Sequence, residues 1–152
     1  MQTVQEMIEI TGGFARFKQE PLFIENGEHP LLLVQHCGRS GVGGADVVRV
    51  LRMEAVDDQL IRTLEMSFET NEDGSFWRAV VWHCGLNDET RYVYTPYDVN
   101  NDRQFVLIVM YVMRSLRFRA NAWDEQLREQ GYLDAAREML LADRQLTLFR
   151  AG

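Results

Sequence analysis

Two short segments of the chain repeat one another: Val34-Gln35-His36-Cys37-Gly38 and Val81-Trp82-His83-Cys84-Gly85 both follow Val-x-His-Cys-Gly. Two histidines and two cysteines are the ligand types of a tetrahedral zinc site, and a thiol beside an imidazole is what nucleophilic catalysis needs. Either chemistry requires the side chains to converge. Successive residues of a strand point to opposite sides of a sheet, so a His-Cys dipeptide aims both at one ion only if the chain bends at the glycine that follows. On a regular strand the cysteines are small buried hydrophobes and the histidines cap strand ends. A small zinc- or thiol-dependent enzyme using His36, Cys37, His83 and Cys84 is therefore the alternative reading. The favoured expectation is no metal, no cofactor and no catalytic site. The third histidine, His29, brings no orienting partner with it.

Carboxylates are the other concentrated chemistry. Between Glu54 and Asp73 stand seven acids (Glu54, Asp57, Asp58, Glu65, Glu69, Glu72, Asp73) and one base, Arg62, a local net of −6 against −7 for the whole chain. General acid-base work would need burial or coupling to bring a carboxyl toward neutral pH. Glu65 and Glu69 alternate with apolar residues, which predicts a solvated strand face. The functional expectation is an acidic surface offered to a basic protein partner. With 23 acids against 16 bases, a general coat for nucleic acid is not expected, because neutralising phosphates takes a basic surface. Fifteen of the sixteen bases are arginine. The segment from Arg103 to Arg150 holds eight bases and six acids, so it could complement the acidic segment within one chain or between two. The glycines at 38, 41, 43 and 44 make a loop, and without a Gly-Lys-Ser/Thr ending it is no phosphate cradle.

These residues need elements to carry them. Val4, Met7 and Ile8 recur at helical spacing within residues 2 to 10, and Gly12-Gly13 ends that helix. From Phe14 to Gln19 the pattern is close to alternation; Pro21 and Leu22-Phe23-Ile24 then suggest an extended edge segment. Leu31 to Val34, Val47 to Val56, Leu60 to Thr70, Phe76 to His83 and Arg91 to Tyr97 read as strands. Leu64, Met66 and Phe68 against Glu65, Ser67 and Glu69 give the clearest period of two, and Asn71-Glu72-Asp73-Gly74-Ser75 closes a hairpin. Asn101 and Gln104 have capping-box spacing before the apolar run Phe105 to Met113, which predicts a long helix over roughly 102 to 130, capped at Gly131. In a competing reading Phe105 to Met110 is a strand and the helix begins near Met113. A final helix is expected over Asp134 to Ala142. The order defines one α+β domain spanning 1-152: an antiparallel or mixed sheet of about five strands with a short N-terminal helix and a long C-terminal helix packed on it.

The stripe Met110, Met113, Leu116, Ala120, Trp123, Leu127 belongs by default against the chain's own sheet. Its length also suits a copy of itself, so a homodimer through Met110, Met113, Arg114, Arg117 and Trp123 is a candidate. Trp77, Trp82, Tyr92, Tyr94 and Tyr97 read as core aromatics. No stretch reaches the ~18 apolar residues of a membrane span, and Met1 to Ile10 carries acids where a secretory signal has bases. Two cysteines suit a reducing compartment, so the expected location is the cytoplasm.

Leu64-Glu65-Met66-Ser67-Phe68-Glu69, followed by Gly74, Trp77 and Asn87-Asp88, resembles an uncharacterised family of small bacterial proteins carried by phages, plasmids and integrative elements. Phe118, Trp123, Leu127, Gln130, Gly131 and Tyr132 are similar to that family's closing helix, and the resemblance spans residues 14 to 133. The chain departs from it at residues 52 to 58, Arg-Met-Glu-Ala-Val-Asp-Asp, where the family carries His-Tyr and Asn-Gly-Asp. The resemblance implies an accessory gene of a mobile element and brings no activity with it. The resulting expectation is a non-enzymatic interaction factor, an acidic inhibitor of a host defence or nucleic-acid-handling protein in the manner of an anti-CRISPR. A structural or assembly component of the element is the third reading.

Overall fold

The structure, a computed structural model, describes residues 1–99 and 103–150, with side chains described at 1–94 and 108–142. Helix α1 (Gln2–Ile10) buries Val4, Met7 and Ile8, the residues whose spacing predicts it. Gly12 and Gly13, both at positive φ, turn the chain into α2 (Gly13–Phe17). The alternation over Phe14 to Gln19 is therefore misleading: Phe14 and Phe17, three apart on a helical turn, both enter the core.

A meander follows, with β1 (Leu22–Asn26), β2 (His29–His36), β3 (Asp46–Val56), β4 (Gln59–Thr70), β5 (Trp77–Cys84) and β6 (Glu89–Tyr92). Each strand pairs antiparallel with its neighbour in sequence, so six strands form the main sheet where about five were expected. The turn between β3 and β4 places Asp57 and Asp58 in the left-handed region, which aspartate tolerates better than most residues. Between β4 and β5 the expected hairpin loop is built on its own side chains. Asn71 Oδ1 accepts from the Phe76 amide and Asp73 Oδ1 from the Ser75 amide, with Gly74 at φ 74°.

The expected strand from Arg91 to Tyr97 is divided: β6 ends at Tyr92, and β7 (Tyr94–Val99) pairs instead with β8 (Arg103–Ile108) in a separate two-stranded sheet. The long helix over 102 to 130 is corrected accordingly. Residues 103 to 108 are strand and α3 (Met110–Glu129) begins after Val109, as in the competing reading. Val106 and Ile108 are β-branched, and the Val109 amide is fixed to the Val93 carbonyl, which holds the chain extended up to the helix. Asn101, half of the capping box, lies outside the described residues. Gly131 at φ 79° ends α3, and α4 (Tyr132–Arg150) is longer than the expected 134 to 142.

The helices lie on one face of the sheet, α3 against β5, α4 against β1, and α1 between α3 and α4. Ile24, Leu32, Val34, Val48, Val50, Met66, Phe68 and Trp82 come from that face, and Val112, Leu116, Ala120, Trp123 and Leu127 of α3 close over them. Asp124 ties the layer together: its Oδ1 accepts from the Thr3 amide at 2.9 Å. This is an α+β architecture. Among the described residues no helix is long and apolar enough to cross a membrane.

Candidate functional site

The two Val-x-His-Cys-Gly segments sit at the ends of β2 and β5, and strand alternation separates their side chains. His36 points to the helix side, where Phe14 and Phe17 meet it edge-on. Cys37 lies on the other side, its Sγ accepting from Gln35 Nε2 at 3.7 Å. His83 occupies the helix-free face, with Nδ1 2.8 Å from Thr90 Oγ1, and Cys84 packs against the core. Three strand spacings, ~14 Å, lie between β2 and β5. The alternative site of His36, Cys37, His83 and Cys84 therefore does not assemble: the four side chains are divided between two faces. Among the described residues no group of three or more His, Cys, Asp or Glu is placed to hold a metal ion.

The seven acids also fail to form one face. Glu65 and Glu69 do alternate away from the helix side, yet they are 6 % and 3 % exposed. The solvated acidic strand face is thereby corrected, and arginines from the neighbouring strands supply the reason. Arg49 of β3 places Nε 3.5 Å from Glu65 Oε1, and Arg62 pairs with the other oxygen. Glu69 accepts from Arg78 Nη2 at 2.5 Å, Tyr94 Oη at 2.6 Å and the Val42 amide at 2.7 Å, so three segments converge on one carboxylate. Burial, then the hydrogen bond to Glu69, pushes the Tyr94 phenol up to about 12. The same carboxylate holds the Arg78 guanidinium above its ordinary value.

Glu54 is paired with Arg52 and with Thr63. Asp57 and Asp58 are exposed at one end of β4, and Glu72 and Asp73 at the other. A 12-residue strand separates these tips by roughly 40 Å. What the helix-free face presents is guanidinium: the side chains of Arg49, Arg62 and Arg78 are 46 %, 43 % and 38 % exposed, above carboxylates that are 7 % exposed or less.

Register arranges that face in rows. Phe23, Leu33, Leu51, Glu65, His83 and Thr90 stand side by side across the six strands, and Gln35, Arg49, Ser67, Val81 and Tyr92 form the next row. Phe23 and Tyr92, at the two edges, are more than half exposed, so the expectation of Tyr92 as a core aromatic is corrected: it stands on the edge strand β6. The centre is thus charged and internally neutralised, and the flanks are apolar and aromatic.

A second cluster, absent from the sequence expectations, lies on the helix side at the end of β3. Asp46 is buried, with Oδ1 2.9 Å from His36 Nε2 and Oδ2 accepting from Lys18 Nζ at 3.0 Å. Burial alone would raise its pKa, but the hydrogen bonds from Lys18 and His36 outweigh it and hold the carboxyl below the ordinary aspartate value. Beside it opens a cavity of about 310 Å³, lined among others by Arg39, Gly43, Gly44 and Asn71. Both carboxylate oxygens are occupied, so the cluster acts as a tie between α2 and the sheet and supplies no nucleophile.

A lowered carboxyl pKa contributes stability that is complete above the unfolded value of 3.8 and is lost as pH falls through the folded value. Asp46→Asn removes this contribution. Urea midpoints measured at neutral pH and below pH 3.8 are therefore expected to converge: the variant is weaker at neutral pH and loses less on acidification than the unaltered protein. An equal loss in both proteins would remove Asp46 from the acid response.

Trp123, a candidate for self-association, is buried beneath α3, whereas Met110, Arg114 and Arg117 are exposed and Met113 is half-buried. The stripe Leu116, Ala120, Trp123, Leu127 is spent on the chain's own core. Strand register could have revealed the pairing of Glu69, because Arg78 stands opposite it across the hairpin. No comparable signal announced the Asp46 cluster, whose members come from α2, β2 and β3. The fold and its surface define a class, an α+β domain with helices on one face of a meander sheet and, among the described residues, none on the other. The chain matches no family model, no curated protein and no solved structure.

Proposed function

We propose that this chain is a non-enzymatic protein-interaction factor and that the helix-free sheet face is its docking surface. One observation carries the reading: exposed arginines lie over buried carboxylates at the centre, between the exposed aromatics Phe23 and Tyr92. Arginine and aromatic residues are enriched where proteins bind one another, and a rigid sheet holds them at little cost in conformational freedom. The exposed charge being guanidinium, the partner surface that fits it is acidic and flanked by apolar groups, the reverse of the basic partner expected from composition. The division of the two His-Cys pairs between faces speaks against the enzyme reading. The resemblance to passengers of mobile elements supports a partner met inside a bacterial host. Occupying that acidic surface would make the chain an inhibitor of the host protein that carries it, and no longer a mimic of nucleic acid.

The test uses Phe23→Asp combined with Arg62→Gln, which leaves Arg49 on Glu65. Proteins captured from host cells by the unaltered chain are expected to be lost from this variant at unchanged melting temperature. They should be retained by Phe118→Asp on α3, far from the sheet face. Retention by the sheet-face variant would overturn the reading.

A further inference from the structure

Helix α3 has two stripes. One, Val112, Leu116, Ala120, Trp123 and Leu127, is buried against the sheet. Diametrically opposite, Tyr111, Arg114, Phe118, Asn121, Glu125 and Arg128 recur at spacings of three and four, and every one of them is exposed. Tyr111 and Phe118 are 73 % and 76 % exposed, an unusual display for large aromatics two turns apart on one face.

Charge on this helix runs against its own dipole. Arg114, Arg117 and Arg119 occupy the N-terminal half, and Asp124, Glu125 and Glu129 the C-terminal half beside a single base, Arg128, with no acid in the first turn. A helix favours acids near its N-terminus and bases near its C-terminus. An antiparallel copy of the same helix turns this into complementarity. We propose that the outer stripe of α3 is the interface of a two-fold symmetric homodimer, with α3 packed antiparallel on α3 of a second copy.

A two-fold axis passing between residues 119 and 120 sets Arg114 against the partner's Glu125, and Glu125 against the partner's Arg114. It also brings Tyr111 alongside the partner's Arg128, the side chain that Glu6 and Thr3 hold in place within its own chain, and the two Phe118 rings to either side of the axis. A parallel arrangement would stack Arg114 on the partner's Arg114 and Glu125 on the partner's Glu125, so charge selects the antiparallel one. The stripe is about 27 Å long at 1.5 Å per residue. One helix pair lies at the small end of specific interfaces, below ~1,200 Å², so association is reversible and set by concentration. It uses none of the sheet face and stands independently of the docking surface proposed above.

Sedimentation equilibrium over a concentration series at low salt tests it. The unaltered protein is expected to show a monomer-dimer equilibrium that weakens as salt is added. Arg114→Glu and Glu125→Arg, each turning two symmetric attractions into repulsions, should each weaken dimerisation by about tenfold. The double variant R114E/E125R recreates both pairs and should restore the dimer. Phe118→Asp should leave a monomer of unchanged melting temperature. A monomer at every concentration, a dimer indifferent to these changes, or a double variant no better than the singles would each overturn the proposal.

Discussion

Replacing Trp123 by alanine is expected to destabilise the protein by about 3–5 kcal/mol, the range for truncating a large aromatic in a packed core. For a chain of this length the melting temperature should fall by about 6–20 °C. The indole is buried on the inner side of α3, in the core cluster that also holds Val34, Met66 and Phe68, so its removal leaves a void beneath the helix. Phe118→Ala, five residues earlier on the exposed side, should change stability by about 0.5 kcal/mol or less. Thermal melts of the two variants followed by circular dichroism decide the matter. Equal melting temperatures would mean that α3 is turned about its axis and that Trp123 belongs to the surface.

Glu69→Ala is expected to cost about 3 kcal/mol. The alanine leaves the Val42 amide, the Tyr94 hydroxyl and the Arg78 guanidinium without their common acceptor. Orphaning buried donors costs about 1–3 kcal/mol for one group, and breaking a wholly buried ion pair about 3–5. Arg78 is more than a third exposed and can turn to water, which keeps the sum below the upper figure. A drop of about 6–12 °C in melting temperature follows. Glu69→Gln supplies a second readout. With the negative charge gone, the phenol of Tyr94 should titrate below its value of about 12, although burial, the larger cause, still holds it above the ordinary 10. Ultraviolet difference titration follows that shift directly. A phenol unmoved in Glu69→Gln, with stability intact, would remove the carboxylate from the centre of this junction.

Both variants probe places where the chain is legible to different depths. Strands β3, β4 and β5 follow from alternation, because a sheet covered on one face forces a period of two and the segment Leu64 to Glu69 keeps it without a break. Phe14 to Gln19 keeps nearly the same period and is nonetheless partly helical, since two glycines and a six-residue segment let tertiary packing of Phe14 and Phe17 prevail over a weak local pattern. The run Phe105 to Met113 conceals a junction for a related reason. Apolar residues in succession satisfy a strand and a helix alike, and what divides them is the pairing of β8 with β7, a contact that periodicity does not report.

At the surface the difficulty is greater. Seven acids in twenty residues look like a negative patch when counted along the chain. Arg49 and Arg78, which neutralise the two central ones, come from other strands and meet them only across the register. Two further pairs of acids are carried to opposite tips of one strand. The His-Cys repeats illustrate the converse, because there the alternation rule alone foresees that the two side chains of each dipeptide part company.

The order of elements has a consequence for how the chain is made. All six strands of the meander precede residue 93, while α3 and α4 begin at residues 110 and 132. On a ribosome that releases the chain from its N-terminus, the sheet can zip together hairpin by hairpin, each pairing being local. Its apolar side, with Val34, Val48, Val50, Met66 and Phe68, then waits for the cover of α3 until that helix emerges. During that interval only α1 and α2 are at hand to shield the sheet, and the contacts of α1 with α3 and α4 form after those helices appear. A pause in translation between β6 and α3 would therefore prolong the exposure of that apolar side.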